Sequence, residues 1–396
     1  MKIKLAFLIS HPIQYYSPLF RELSKEPKID LTVLYCSDES VRGMKDVGFG
    51  KDVKWDIDLL KGYKYKFLKN YSPLKTLFRP PFGLINFEIV TEISKYDAII
   101  IHGRHYATHW LAYLAAVLKS IPVFIREETP LSQEKLKKKS LFKKIVLRNF
   151  FKQVSGCLAI GTENKKFYKS YGTSDEKIFW TPYAVDNKRF IESCKKLRKE
   201  KRKIKREIGI ESYKTVILFS GKLIDKKRPF DLLKAYEKIN VKNKALVFVG
   251  DGELREKLEE YSEKNNLEDV HFAGFKNQTE LGKYYSAADI FVLPSGIGET
   301  WGLVVNEAMC FSLPIIVSDI VGCARDLVKQ GQNGFVFSAG NIIELSKYLE
   351  LLLRNQNLRQ KMGKESFKMI QKWSYKEDVD GVLKSLDSIQ NENPSN

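Results

Sequence analysis

The sequence predicts an α/β protein built from two Rossmann-like domains. Its 396 residues are too many for one ordinary hydrophobic core and suit two domains of about 150 to 200 residues. Apolar runs of strand length alternate with helical patterns in both halves, which is typical of parallel sheets covered by helices. A composition of 43% hydrophobic and 29% charged residues indicates a soluble, globular chain.

The first half opens with an apolar strand, a helix and a second strand, which is the start of a Rossmann-like unit. The strands predicted here lie at 4–9, 31–35, 97–103, 121–125 and 156–161. Between them, residues 38–85 form a long excursion rich in aromatic residues, lysine and glycine, to which we assign no fold.

The second half repeats the pattern, with strands predicted at 215–220, 245–250, 270–275, 288–293 and 314–317. The strand at 288–293 ends at Pro294 and is followed by a glycine-bearing loop and a helix that starts near Gly302. In such a unit the helix opens at the carboxyl edge of the sheet, where ligands bind. Free backbone amides of Gly302, Leu303 and Val304 would therefore bind an anion, above all phosphate.

Two carboxylates flank this helix start. Glu299 precedes it and Glu307 lies inside it, roughly 7 Å further along the axis at about 1.5 Å per residue. A diphosphate on the helix end would place its sugar end near Glu299 and its nucleoside end near Glu307, where carboxylates accept hydroxyl hydrogen bonds. The alternative is that the helix dipole alone favours glutamate at this position.

The residues around the two glutamates resemble the donor-site signature of glycosyltransferase family 4. The matching positions are Pro294-Ser295, Glu299, Gly302, Glu307-Ala308-Met309, Leu313-Pro314, Ser318-Asp319 and Gly322. The resemblance implies a GT-B fold, in which two Rossmann-like domains face each other across a cleft and the last helix returns to the first domain. It also implies a retaining transferase that uses a nucleotide-diphosphate sugar, with Glu299 facing the donor sugar and Glu307 the ribose.

The resemblance extends to the loop after the strand at 215–220. The family places an arginine after the glycine that corresponds to Gly221, and a lysine five residues later, both on the donor diphosphate. Here Lys222 replaces the arginine, so the bidentate fork of a guanidinium is lost, and Lys227 matches the lysine. Lys226 and Arg228 leave the register open by one position.

Two more positions follow from the resemblance. The family holds the base through backbone near Phe275, and a histidine beside the donor sugar corresponds to His102, which follows Asp97 by five residues. The neutral imidazole of His102 can donate or accept a hydrogen bond to a sugar hydroxyl. For the neighbouring His105 and His109 we expect only a capping role at the following helix.

The acceptor side departs from the family pattern, because a His-Pro and aromatic sequence replaces the glycine-rich loop after the first strand. His11, Gln14 and Tyr15 are candidate acceptor contacts; a proline-stiffened packed turn is the alternative. Arg126, at the end of the strand at 121–125, is a further candidate acceptor contact. A surface cluster of ion pairs is the alternative there.

The family changes domain near a Pro-x-x-Val-Asp segment, which here is 182–186. The first domain is therefore predicted at 1–186, with a helix at 375–390 packing back onto it. The donor domain is predicted at 187–374 and a loose tail at 391–396. The basic stretch 195–206 is predicted as a solvated helix near the hinge.

The net charge of +19 is concentrated in the first half, and a basic amphipathic helix is predicted at 133–152. This helix would suit an anionic membrane surface and a glycan or lipid-linked acceptor, as in bacterial polysaccharide or lipopolysaccharide synthesis. A solvated face on a core-packed helix is the alternative. No apolar stretch approaches the ~20 residues that cross a bilayer, so we expect a cytoplasmic protein, or one peripheral on the inner face of the plasma membrane.

Metal and cofactor sites are not expected. The five cysteines are odd in number and contain no CxxC pair, which argues against a disulfide framework and a zinc site. Asp56-Ile57-Asp58 has the form of a DxD motif but lacks the surrounding strand and loop. The donor substrate is then the only nucleotide expected, with no bound cofactor and no metal.

Two other function classes stay open. One is a nucleotide-sugar epimerase or sugar phosphorylase on the same fold. The other is a basic nucleic-acid-binding protein with a degenerate donor motif, since the charge of the first half could attract any polyanion. The motif argues against nucleic acid as a partner.

Overall fold

A computed structural model describes residues 2–46, 48–135 and 140–392. The chain divides into two compact units. Unit 1 comprises Met1–Met44, Val53–Tyr183 and Tyr375–Asn396, and unit 2 comprises Lys45–Asp52 and Ala184–Ser374. The predicted division at 186/187 lies three residues from the observed one. The segment 45–52 belongs to unit 2, whereas the prediction placed it in the first domain.

The strands of the described chain are β1 (Ile3–Ile9), β2 (Ile29–Tyr35), β3 (Met44–Asp46), β4 (Lys51–Val53), β5 (Lys64–Phe67), β6 (Ala98–His102), β7 (Val123–Arg126), β8 (Gly156–Ala159), β9 (Ile178–Trp180), β10 (Thr215–Ser220), β11 (Lys244–Val249), β12 (Val270–Gly274), β13 (Ile290–Leu293), β14 (Ile315–Ser318) and β15 (Gly334–Phe337).

The α-helices are α1 (Tyr16–Lys25), α2 (Glu39–Arg42), α3 (Ile89–Glu92), α4 (Ala107–Leu118), α5 (Leu131–Glu134), α6 (Leu141–Gln153), α7 (Thr162–Ser170), α8 (Asn187–Leu197), α9 (Lys201–Glu207), α10 (Pro229–Glu237), α11 (Arg255–Lys264), α12 (Leu281–Ala287), α13 (Leu303–Cys310), α14 (Ala324–Leu327), α15 (Ile342–Arg354), α16 (Gln356–Ile370) and α17 (Tyr375–Glu392).

Unit 1 contains a parallel sheet whose described strands run in the order β5-β2-β1-β6-β7-β8-β9. Its central strands β1 and β6 contain continuous apolar runs, 5–9 and 98–101, that are buried, as is typical of a parallel sheet. The strand order reverses between β1 and β6. The loops that follow these two strands therefore lie side by side at the carboxyl edge, where such sheets bind ligands.

Unit 2 repeats this design with a parallel sheet ordered β12-β11-β10-β13-β14-β15. Its order reverses between β10 and β13, which pair in the register Ile217 to Ile290. The loops after β10 and β13 carry Gly221, Lys222, Lys227, Glu299 and Gly302 of the predicted donor-site residues. The predicted α/β fold with two Rossmann-like units is confirmed.

The last helix returns to unit 1, as predicted. On α17, Asp378 accepts two hydrogen bonds from the Arg126 guanidinium, both at 2.7 Å, with both side chains fully buried. The Tyr375 hydroxyl donates to the backbone oxygen of Tyr15 at 2.7 Å. A Cβ at Gly381 would lie 1.9 Å from the backbone oxygen of Trp180, so only glycine permits this approach. The helix extends to Glu392, and residues 393–396 of the predicted tail lie outside the described chain.

Two predicted basic helices differ from the observed structure. In place of a single helix over 133–152, α5 ends at Glu134 and α6 begins after Ser140, whose side chain accepts a hydrogen bond from the Lys143 amide and so caps the helix. Residues 136–139 lie outside the described chain. The stretch 195–206 is divided between α8 and α9 and is not wholly solvated, because Lys205 is buried and ion-paired with Asp289 at 2.8 Å.

The Asp378→Asn variant tests the attachment of α17. Because the substitution leaves the fully buried Arg126 charge uncompensated, we expect unfolding by urea to cost about 3–5 kcal/mol less than in the wild type. Asp387→Asn is the matched control on the same helix, since Asp387 pairs with Lys28 at the exposed surface and should change stability by less than about 1 kcal/mol. Equal losses in the two variants would contradict the role given to the buried pair.

Candidate active site

The loop after β13 holds a buried carboxylate. Glu299 forms an ion pair with Lys227 and accepts a hydrogen bond of 2.9 Å from the Ser295 hydroxyl. The Ser318 hydroxyl, at the end of the neighbouring β14, donates to the backbone oxygen of Ser295 and so holds the start of the loop against β14. These residues converge because β13 and β14 are adjacent parallel strands that end at the same edge.

Glu299 is charged in spite of its burial. Burial by itself raises the pKa of the Glu299 carboxyl, but Lys227 and Lys226 nearby, with the hydrogen bonds from Lys227 and Ser295, bring that pKa below its ordinary value. The ion pair therefore presents a fixed carboxylate and a fixed ammonium group. Such a pair can orient hydroxyl groups and neutralise phosphate.

The start of α13 has the geometry that an anion requires. Gly302 precedes the helix at φ +94°, and a Cβ there would lie 2.8 Å from the Leu293 side chain, so the position demands glycine. Within the residues that the structure describes, the amides of Leu303 and Val304 donate to no backbone oxygen. A helix start of this kind can receive an anion, and the binding of phosphate by these amides stays a prediction.

Glu307 lies on the same helix and is fully buried. Its carboxylate accepts a hydrogen bond of 2.7 Å from the Tyr285 hydroxyl. The Tyr285 ring stacks on Phe311 with 5.3 Å between ring centroids. Tyr285 is a site residue that the sequence did not reveal, because a tyrosine on α12 carries no signal of its pairing with α13.

The loop after β10 contributes Lys222 and Lys227. Lys222 bonds both carboxylate oxygens of Asp46, at 2.6 and 2.9 Å, and lies over the Phe49 ring. No sequence pattern could have indicated Asp46, which is 176 residues away from Lys222. A Cβ at Gly250 would lie 1.8 Å from the backbone oxygen of Gly221, so glycine is needed for the loops after β10 and β11 to approach.

The structure distinguishes Lys227 from its basic neighbour. Lys227 pairs with Glu299, whereas Arg228 has a left-handed backbone and pairs with Asp231 at 2.6 Å. Phe275, predicted beside the base, directly follows β12 and contacts the edge of the Phe49 ring at a centroid distance of 4.9 Å. Unit 2 thus brings the predicted donor residues to one edge of its sheet.

In unit 1, His102 lies at the end of β6 and belongs to a polar cluster. Its Nε2 atom is 2.7 Å from the Tyr16 hydroxyl and 3.4 Å from Glu128 Oε1. Tyr183 also donates to Glu128, at 2.6 Å. These contacts fix the imidazole orientation. The role of His102 toward a donor sugar stays a prediction.

The four candidate acceptor residues have different environments. His11, Gln14 and Tyr15 are half-buried in the turn after β1, where His11 Nδ1 is 2.9 Å from the Ser10 hydroxyl. Arg126 is neither an acceptor contact nor part of a surface cluster, because it is fully buried against Asp378. Its function is to attach α17.

The capping role expected for His109 is wrong. His109 lies inside α4, is buried, and neither ring nitrogen has a hydrogen-bond partner among the described residues. Helix α4 has Tyr106 as its N-cap and no side-chain cap. Burial, with His102 and His105 nearby, lowers the pKa of His109 to about 3.

The described residues contain no group of three or more histidine, cysteine, aspartate or glutamate residues that could hold a metal ion. None of the described helices has the length and apolar character needed to cross a membrane.

The sequence of unit 2 decides the family. Residues 200–369 match the family described as "Glycosyl transferases group 1". This segment belongs to the group 1 glycosyl transferases. It contains Lys222, Lys227, Glu299, Gly302 and Glu307, so the predicted family resemblance is confirmed at this level. The narrower assignment to family 4 stays a prediction.

Curated relatives of the group 1 segment are also glycosyltransferases. An Escherichia coli UDP-Gal:alpha-D-GlcNAc-diphosphoundecaprenol alpha-1,3-galactosyltransferase is 29% identical over 271 residues, which are 66% of this chain and 67% of that protein. An uncharacterised glycosyltransferase of Methanocaldococcus jannaschii is 29% identical over 172 residues, which are 43% of this chain and 48% of the relative. The chain thus spans about half the length of this second relative, and 35% and 36% of two others.

Solved structures share the whole fold. HepE of Anabaena in complex with UDP and glucose has a TM-score of 0.73 at 17% identity, covering 98% of this chain and 100% of that one. Sucrose-phosphate synthase of Thermosynechococcus elongatus has a TM-score of 0.73 at 15% identity, covering 99% and 100%. The group 1 segment therefore lies in a chain with the predicted GT-B fold.

The buried His109 predicts an acid-sensitive stability. Below its ordinary pKa of about 6.5, the unfolded chain binds a proton that folded His109, with a pKa of about 3, does not bind. The stability that the neutral ring contributes is therefore complete when the pH is above the ordinary histidine pKa. It declines as the pH falls from there toward the pKa of His109 in the folded chain. At pH 5 the loss is about 2 kcal/mol, at roughly 1.4 kcal/mol per pH unit.

His109→Phe removes this proton linkage and keeps an aromatic ring beside Tyr106. Urea unfolding of both proteins at pH 7.5 and pH 5 measures the effect. The unfolding free energy of the variant, relative to that of the wild type, should be about 2 kcal/mol higher at pH 5 than at pH 7.5. A difference that does not change with pH would contradict the assignment of a neutral, buried imidazole.

Proposed function

We propose that this protein is a retaining glycosyltransferase that moves a sugar from a nucleotide-diphosphate sugar to a glycan or lipid-linked acceptor. The observation that carries the proposal is the ion pair of Lys227 with Glu299, just before the start of α13, where the amides of Leu303 and Val304 donate to no backbone oxygen of the described chain. Cation, amides and carboxylate are the groups that a diphosphate bonded to a sugar requires.

The leaving group determines the chemistry. As the bond between the anomeric carbon and the diphosphate breaks, negative charge grows on the phosphate oxygens. Lys227, Lys222 and the amides of Leu303 and Val304 are fixed donors that stabilise this charge, the contribution that is usually largest in such reactions. Lys222 is bonded to Asp46, so a diphosphate competes with that carboxylate for the ammonium group.

Retention of the anomeric configuration follows if the acceptor attacks from the face of the leaving group. The acceptor hydroxyl then passes its proton to the departing phosphate oxygen, and no side-chain base is needed. Glu299 orients the sugar hydroxyls and Glu307 accepts from the ribose. We propose no covalent intermediate on Glu299, whose Oε2 atom is bonded to both Lys227 and Ser295.

The names of similar proteins support the substrate class. The Escherichia coli relative carries UDP-Gal and a diphosphoundecaprenol-linked sugar in its name, and HepE was solved with UDP and glucose. A lipopolysaccharide outer core galactosyltransferase has a similar fold, with a TM-score of 0.68 at 18% identity. We infer a place in the synthesis of a bacterial cell-surface polysaccharide.

An anionic membrane surface is the proposed partner of unit 1. Leu141 and Phe142 at the start of α6 expose 74% and 76% of their surface, and Ile145 one turn later is also exposed. Lys143, Lys144 and Arg148 alternate with them on the same helix. Exposed apolar side chains among cations are typical of helices that lie at a membrane interface, where a lipid-linked acceptor resides.

The Glu299→Gln variant tests the proposed reaction. We expect transfer from UDP-sugars, measured as UDP release in the presence of acceptor lipid, to fall by about 10²–10³-fold, because the donor sugar loses its orienting carboxylate. The affinity for UDP, measured by calorimetry, should change less than about threefold. Glu263→Gln, at an exposed position of α11, is the control.

Unchanged turnover in Glu299→Gln would refute the role of this residue. Binding of an oligonucleotide with a steep salt dependence, together with no affinity for UDP, GDP or ADP, would instead support the nucleic-acid-binding alternative.

Substitution of Leu141 and Phe142 by serine tests the membrane surface. The double variant should sediment with vesicles of phosphatidylglycerol and phosphatidylcholine at least about tenfold less than the wild type, because two apolar anchors are lost. Serine at the exposed Ile343 and Leu351 of unit 2 is the matched control. Equal sedimentation of the two double variants would exclude α6 as the contact.

A further inference from the structure

Unit 2 contains a cavity at one edge of its sheet. The ion pair of Lys227 with Glu299 lies at the opposite edge. The cavity has a volume of about 690 Å³, which is in the range of cavities that hold small organic ligands. Its floor is formed by Ala288 and Asp289 before β13 and by Pro314 before β14, which are the amino ends of these strands. Helices α8, α12 and α16 contribute its walls.

The charge of the cavity is strongly positive. Lys195, Arg198, Lys201, Arg359 and Lys364 line it, together with one carboxylate, Asp289. This carboxylate is already neutralised, because it pairs with Lys201 and with Lys205, each at 2.8 Å. Asp289 also acts on Arg359 electrostatically, but among the described residues no second carboxylate lines the cavity.

Four of these cations have no acidic partner. Among the described residues, Lys195, Arg198, Arg359 and Lys364 form no ion pair. Arg359 uses one nitrogen to bond the backbone oxygens of Leu352 and Leu353 at the end of α15, and its remaining donors have no bonded acceptor there. Burial lowers the pKa of the Arg359 guanidinium, so an anion beside it would offset that cost.

A buried hydroxyl also points to a ligand. Ser286 on α12 lines the cavity and is 8% exposed, and its hydroxyl has no hydrogen-bond partner within the described part of the chain. Buried hydroxyl groups are rarely left unpaired, because the lost hydrogen bond to water is not replaced. An oxygen acceptor on a bound molecule would satisfy it.

Apolar side chains complete the lining. Ile191, Phe311 and Phe367 belong to the cavity and offer contact to a hydrocarbon or ring. We propose that this cavity binds an organic phosphate, with the phosphate among the four unpaired cations and the Ser286 hydroxyl and the apolar body against these three side chains. The cavity lies at the edge of the sheet opposite to the Lys227–Glu299 pair, and Tyr285 borders both sites, since it lines the cavity and bonds Glu307. The proposal does not rest on the proposed transfer reaction.

Calorimetric titration with octyl phosphate tests the site, carried out on the whole chain with saturating UDP present. We expect one saturable site per chain, with no comparable binding of octyl glucoside, which lacks the charge. The variant Lys195→Gln/Lys364→Gln should weaken binding at least about tenfold, since two charge-assisted contacts are lost. Lys196→Gln/Lys361→Gln is the matched control, with exposed lysines on the same helices that do not line the cavity.

Two further variants keep the test independent of folding and of the donor site. Ser286→Ala removes only a hydroxyl and should weaken octyl phosphate several-fold. Glu299→Gln should leave this binding unchanged, so that a failure of the proposed transfer reaction can be told from a failure of the cavity. Equal affinity in the two lysine double variants, or no saturable binding in the presence of UDP, would each overturn the proposal.

The source of the phosphate is distinguished with vesicles. Sedimentation with phosphatidic acid vesicles that falls in Lys195→Gln/Lys364→Gln, but not in its control, identifies a lipid headgroup as the ligand. Saturable octyl phosphate binding without any such difference on vesicles identifies a soluble phosphate ester.

Discussion

The reversal of strand order at the centre of each parallel sheet is the constraint on which both groups of candidate residues depend. Where the order reverses, the connections of the two neighbouring strands leave to opposite sides, and their following loops are not covered by a crossover helix. In unit 2 these are the loops after β10 and β13, so Lys227 from one meets Glu299 from the other. In unit 1 the same reversal brings Tyr16, just after the β1 loop, to His102 at the end of β6.

The sequence predicted what is encoded within one loop and its flanking elements. Glu299, Gly302 and the free amides lie within a short stretch, so their chemistry could be inferred from spacing and from the family resemblance. Lys227 was predicted too, but only the structure separates it from Arg228, because Lys227 pairs with Glu299 whereas Arg228 pairs with Asp231. The predicted boundaries of most strands lie close to the observed ones, because an apolar run in the sequence ends where the strand leaves the buried core.

Partners far apart in the chain could not be predicted. Asp46 beside Lys222 and Asp378 beside Arg126 are 176 and 252 residues from their cations. A charged residue at a strand end has the same sequence signature whether it faces solvent or a returning helix. The basic stretch 195–206 shows the same limit: its composition indicated a solvated helix, whereas Lys205 is buried by its pairing with Asp289.

The return of α17 has a consequence for the order in which the chain becomes complete. Unit 2 is drawn mainly from one continuous stretch, 184–374, whereas unit 1 needs residues from both ends. During synthesis the nascent chain carries the Arg126 guanidinium long before its counter-charge leaves the ribosome. The unit that is translated first is therefore the one whose interior is finished last.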